Sequence, residues 1–276
     1  PSLVGLADDF AILDERLALD AQRASVVERL AVWWDRLSMY FDPEMEPRSI
    51  RSRVEQELPD LVNGVIKRAK DLRLSPDELQ QMLQAVDGDE RFELLRFAAD
   101  VYADYQRSLA YRGAVDFDDL VRLALEALQR DEQYLRRLRN RWPYILEDEA
   151  QDSSLLQERM LQLLSDRRNW VRVGDPNQAI NTTFTTADPS HLLRFLDDGA
   201  NPAVEEYPLS ISGRSAPSII KLANELVRWT IEEHPSPVVR DAFTYANKPR
   251  QGRLRGVIQP ADADDPQPNP PDDECL

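Results

Sequence analysis

The chain has 276 residues, enough for about two domains by the usual length prior, and its apolar fraction of 42% supports sizeable cores. A net charge of −16 argues against a protein that coats nucleic acid through a general positive field, though not against one that grips a strand in a local groove. No apolar run approaches the ~18 residues of a membrane span, residues 1–10 lack the features of a signal peptide, and Cys275 is the single cysteine, so internal disulfides and cysteine-rich zinc sites are excluded and a reducing, cytoplasmic setting fits.

Helical periodicity governs the first ~110 residues. Leu13, Leu17, Val26, Leu30 and Leu37 recur at helical spacing, and the acidic, proline-containing stretch 42–47 breaks the pattern. A second helix is predicted over 51–71. Ser75, Pro76, Asp77 and Glu78 then form a helix start, with an N-cap, a proline at the first position and acids in the first turn. Residues 92–111 carry Leu95, Ala98, Ala99, Tyr102 and Leu109 on one apolar face, and Gly113 ends that stretch.

From Asp116 the pattern changes. Helices are predicted over 117–130 and 132–140, then a short strand at 144–146, a helix over 154–164 and a second strand at 170–173. Strand, helix, strand with polar residues at the strand ends is the signature of a parallel α/β sheet, whose ligands sit beyond the carboxyl ends of the strands. Another helix is predicted over 216–233, followed by an irregular stretch opened by Pro235 and Pro237, a candidate strand at 254–258, and a proline-rich acidic loop or disordered tail from 261 onward.

The first strand runs into Glu147, Asp148, Glu149, Ala150, Gln151 and Asp152. A carboxylate there is suited to hold Mg²⁺ largely through water, and a neighbouring one to orient or deprotonate an attacking water. The competing explanation is a polar turn whose acids favour the next helix N-terminus. The second strand runs into Gly174, Asp175, Pro176, Asn177 and Gln178. Gln178 could reach a phosphate or a water, or simply stabilise its turn. Phe184 lies in a threonine-rich loop, either as a buried anchor or as a platform for a stacked base.

Together, Asp-Glu-Ala-Gln-Asp after one strand and Gly-Asp-Pro-Asn-Gln after the next resemble the superfamily-one DNA helicases of the UvrD, Rep and PcrA type. The flanking segments at 10–14, at 116–120 and at 209–215 with Ile219, Ala223 and Asn224 resemble further elements of that family in its order, so the resemblance runs over about residues 10–257. It implies an α/β, RecA-like P-loop NTPase sheet remnant with a large all-helical insertion. The helical insertion would occupy 1–112, the motor-domain portion 113–208, and the start of a second motor domain with its tail 209–276. It further implies ATP and Mg²⁺ as cofactors, single-stranded or partly duplex DNA as partner, repair or recombination proteins as further partners, and no membrane association.

By position, the resemblance makes Asp148 the Mg²⁺ ligand, Glu149 the residue acting on the hydrolytic water, Gln178 the γ-phosphate sensor, Arg214 an arginine finger and Phe184 a base-stacking aromatic. Asp152 is expected to support the site, and Asp116, Asp118 and Asp119 to cap and pack. No Gly-x-x-x-x-Gly-Lys-[Ser/Thr] occurs in the chain, so an internal piece of a longer helicase, inactive alone, is expected. Ser212 and Gly213 stand where the family has Asn-Tyr, and Asn181 with its threonine-rich neighbours replaces the family's usual segment. The alternatives are a helicase-like binding module without catalysis and, less well supported, a metal-dependent nuclease.

Overall fold

The computed structural model describes residues 1–37, 40, 47–86, 88–166, 169–180, 186–197, 204–247 and 257–272. It is mostly helical with short parallel strands, and it divides into two compact units.

The first unit comprises residues 1–173 and 180–188. Its helical part contains α1 (Glu15–Leu37), α2 (Pro47–Asp71), α3 (Pro76–Gln84) and α4 (Glu93–Tyr111). Val26, Leu30, Leu37, Val62, Ile66, Phe97 and Val101 fill one core. Full burial of each such side chain contributes about 1.5–3 kcal/mol. Leu17, expected on the inner face of α1, is half exposed instead, while Leu13 is buried. Trp33 meets Phe97 edge-on at 6.0 Å and its indole nitrogen donates to Asp100 (3.1 Å), which fixes the α1–α4 contact. The expected start of α3 is a full capping box: the Ser75 hydroxyl accepts from the Glu78 amide, and the Glu78 carboxylate accepts from the Ser75 amide.

Two parallel strands, β1 (Ala11–Ile12) and β2 (Ala114–Val115), bracket this helical part in sequence. After β2 come α5 (Phe117–Arg130), α6 (Glu132–Arg141), β3 (Ile145–Glu147), α7 (Leu155–Ser165) and β4 (Trp170–Arg172). β3 pairs with β4 in parallel, Glu147 opposite Arg172, with α7 as the crossover. This is the strand–helix–strand unit expected from the sequence.

The second unit comprises residues 174–179 and 189–276. It holds α8 (Ser190–Asp197), β5 (Ile211–Ser212), α9 (Pro217–Glu232), α10 (Pro237–Ala246) and β6 (Gln259–Pro260). The irregular stretch expected after Pro235 is incorrect, because Pro237 opens α10. Proline at a first helical position loses no intrahelical bond and arrives with a helical φ, so it starts the helix rather than breaking it. Of the strand expected at 254–258, residues 254–256 lie outside the described residues and 257–258 carry no strand; β6 follows at Gln259–Pro260, parallel to β5. Described residues 261–271 carry no helix or strand, as a loop requires.

Candidate active site

The acidic loop after β3 is stitched to the end of β4 by backbone bonds. The Val173 amide donates to the Glu147 carbonyl (2.8 Å) and the Ala150 amide to the Val173 carbonyl (2.9 Å). Between them Glu149 adopts a left-handed backbone at φ 52°, unusual for a residue with a side chain. The turn continues into a 3₁₀ segment, Ala150–Asp152, closed by the Asp152 amide donating to the Glu149 carbonyl (2.9 Å). Asp148 and Glu149 are both exposed. The Asp148 carboxylate accepts from the Glu149 amide (3.0 Å), and the Glu149 carboxylate accepts from the buried amide of Gln151 (2.7 Å).

Beneath this loop lies an ion cluster that the sequence reading assigned no role. Glu147 is buried, and its carboxylate accepts from Ser153 Oγ (2.6 Å), Trp170 Nε1 (3.0 Å) and Arg172 Nε (2.6 Å). The Arg172 side chain is only 1% exposed and also pairs with Glu158 at 2.7 Å. Burial pushes the Glu158 carboxyl up from its ordinary range, against the pull of Arg172. Glu147 thus ties both shoulders of the 148–152 loop to β4. Ser154 caps α7 in a second capping box, with Gln157 as its partner.

A second buried cluster anchors the loop from α2, which ends in Lys70 and Asp71. Lys70 is fully buried and pairs with Asp116 and, at 2.9 Å, with Asp119. Asp116 also accepts from the Tyr105 hydroxyl (2.7 Å) and caps α5 through the Asp119 amide (2.8 Å). Burial raises the Asp116 carboxyl, but Lys70 with these donors outweighs it, and the net position is below the ordinary value. Asp118 is raised, first by burial and then by Asp116. Asp71 accepts from the Leu156 amide (2.9 Å) in the first turn of α7, directly after the acidic loop. Capping and packing therefore account for Asp116 and Asp119, as expected, and their partner Lys70 lies too far along the chain for any local pattern to mark it.

In the second unit, Asp175 organises the turn that carries Gln178. Its carboxylate accepts from the Asn177 amide (2.9 Å) and from Gln178 Nε2 (3.0 Å), so the Gln178 amide serves its own turn here. Asn177 exchanges two 2.9 Å side-chain bonds with the buried Asn247 at the end of α10. Arg214 is exposed, and among the described residues its guanidinium forms no ion pair. Its turn is braced from the loop at residues 261–272 of the same unit: Asn269 donates to the carbonyls of Ser212 and Ser215, and Asp272 accepts from the Ser218 amide (2.9 Å). A Cβ on Gly213 would stand 2.1 Å from the Gln267 carbonyl oxygen, so only glycine fits there. Asn224 pins Ile258 through both its backbone groups (2.8 and 3.0 Å). Phe184 lies outside the described residues.

Among the described residues, no group of three or more His, Cys, Asp or Glu gathers to hold a metal ion. A Mg²⁺ ion held by one carboxylate, waters and substrate phosphates needs no such group, and the exposed Asp148 suits that mode. No described helix is long and apolar enough to cross a membrane.

A carboxylate pair presented at the end of a parallel strand is the kind of feature found in proteins that act on phosphates. The UvrD/REP helicase N-terminal domain matches residues 3–200, and the chain belongs to that helicase family. Among its relatives, the ATP-dependent DNA helicase PcrA of Bacillus subtilis (strain 168) is 29% identical over 234 residues, 84% of this chain and 27% of the relative. The PcrA helicases of Staphylococcus epidermidis and Staphylococcus aureus are each 30% identical over 178 residues, 64% of this chain and 23% of the relative. The chain therefore spans about a quarter of the length of these curated relatives.

Proposed function

We propose that the chain contributes the metal- and water-handling portion of an ATP-dependent DNA helicase motor that couples hydrolysis to movement on single-stranded DNA. The observation that carries this reading is the exposed Asp148–Glu149 pair, presented on a loop braced by Glu147, Gln151 and Arg172. Asp148 is the proposed Mg²⁺ ligand, and the ion would neutralise charge on the nucleotide phosphates. Glu149 orients and deprotonates the attacking water, with Gln151 holding its carboxylate in place. Gln178 senses the γ-phosphate after exchanging its bond to Asp175, and the exposed fork of Arg214 stabilises developing phosphate charge. Phe184 stacks on a base of the bound strand. The chain alone is proposed not to hydrolyse ATP, since it carries no Gly-x-x-x-x-Gly-Lys-[Ser/Thr]; tight Mg²⁺-dependent ATP binding by these 276 residues would refute that.

The test is ATP hydrolysis by the longer natural polypeptide, with and without single-stranded DNA, in the parent and in Asp148→Asn. Stimulation by DNA, and a higher Mg²⁺ requirement in the variant, are expected. A second reading, a helicase-like binding module without catalysis, draws on the commitment of Gln178 to Asp175 and on the backbone of Gln267 filling the space beside Gly213. DNA binding without any DNA-stimulated hydrolysis would favour it.

A further inference from the structure

The chain is strongly acidic, yet α6 carries Arg136, Arg137, Arg139 and Arg141 against one acid, Glu132. Leu135 faces inward, while Gln133, Tyr134, Arg136, Arg137, Asn140 and Arg141 are exposed. Two of the arginines are engaged locally. Arg136 pairs with Glu132 at 3.1 Å, and Arg139 donates to the Leu163 carbonyl and pairs with Asp166. Among the described residues, Arg137 and Arg141 have no carboxylate within ion-pair distance; each lies over an aromatic ring instead, Arg137 over Tyr134 at 5.6 Å and Arg141 over Trp142 at 5.5 Å. Trp142 is 47% exposed and Tyr144, two residues on, is 66% exposed. The helix dipole favours cations in the last turn, which explains part of this pattern. It explains neither Arg137 nor the exposed rings.

We infer that the outer face of α6, with Trp142 and Tyr144, is a contact surface for a single strand of nucleic acid, separate from the Asp148–Glu149 loop and independent of nucleotide. Unpaired guanidiniums stacked on rings keep their donor edges free for phosphate oxygens. Exposed tryptophan and tyrosine give unpaired bases a surface to stack on, and duplex DNA has no unstacked bases to offer them. The exposed face of α6 itself is mostly Arg, Gln and Asn, which offers no aliphatic centre for a protein partner to bury, while the exposed Leu146 and Val171 lie beyond it on β3 and β4. The charge of the rest of the chain opposes binding, so the contact is local and salt-sensitive.

The test is binding of a fluorescent single-stranded oligonucleotide to the full chain, without nucleotide, across a salt series. Replacing Arg137 and Arg141 together by Gln should lower the slope of log affinity against log salt by about 1.4, which is on the order of 20-fold at about 0.1 M salt. Trp142→Ala should cost roughly tenfold through lost stacking. The pair Arg107→Gln and Arg228→Gln, which changes net charge equally on other exposed surfaces, should leave binding nearly unchanged. An equal loss in that control pair, equal affinity for duplex or for poly-aspartate of matched charge, or no oligonucleotide binding by the parent would each overturn the assignment.

Discussion

Replacing Lys70 by Met removes a fully buried cation that pairs with both of the buried carboxylates Asp116 and Asp119, while the partly exposed Arg122 stays 3.3 Å from Asp119. Lys70 is 0% exposed, and the Asp116 and Asp119 side chains are 7% and 3% exposed. After the substitution the carboxylates keep the Tyr105 hydroxyl, the Gln106 amide and the Asp119 backbone amide, and Asp119 keeps Arg122, but Asp116 loses the counter-charge beside it. Breaking a buried pair from one side costs about 3–5 kcal/mol, a large part of the ~5–15 kcal/mol that holds a domain together. The pH dependence has a definite sign. In the parent, Asp116 titrates below its unfolded value, so its contribution is complete above that value and is lost as pH falls through the folded pKa. In the variant burial remains and Lys70 is gone, so Asp116 should titrate above its unfolded value and take up a proton on folding. The stability gap between parent and variant should therefore narrow from about pH 7 to about pH 5. Urea unfolding followed by far-ultraviolet circular dichroism measures both midpoints, and adding Asp116→Asn and Asp119→Asn to the variant should recover part of the loss. A gap below about 1 kcal/mol at neutral pH, or one that widens with acidity, would refute the electrostatic reasoning.

Arg172→Met should be comparably damaging, by about 3–5 kcal/mol, because it leaves Glu147 and Glu158 buried without their shared cation; thermal unfolding measures it. Ser75→Ala removes one capping box and should cost about 1 kcal/mol, read from the denaturation midpoint. Gly213→Ala should force the Gln267 backbone away and speed proteolytic cleavage within residues 261–272; an unchanged cleavage rate would show that this loop does not pack on the Arg214 turn.

The elements with strong local signals were legible in the sequence. Phe117–Arg130 stands where a helix was expected, and the start of α3 follows from Ser75, Pro76 and the two acids after them. The loop at the end of β3 was legible as a loop, since a short apolar strand ends there in acids, although those acids alone fit a metal site and a polar turn equally well. What supports that loop was not. Lys70 lies 46 residues from Asp116, Asp71 lies 85 from Leu156 and Arg172 lies 25 from Glu147, and no local periodicity links such partners. Glu147 read as one more acid in a cluster, although its carboxylate points into the protein while those of Asp148 and Glu149 face out. Pro237 was misread because proline marks both helix breaks and helix starts, and only the amphipathic residues after it separate the two.

The central claim is that Glu149 drives hydrolysis, and its most direct test is Glu149→Gln in the longer natural polypeptide, with ATP binding and DNA-stimulated turnover measured side by side. Turnover should fall by about 10²–10⁴-fold while ATP binding persists, since the amide keeps the shape and loses the base. Undiminished turnover in that variant would contradict the assignment of the acidic loop.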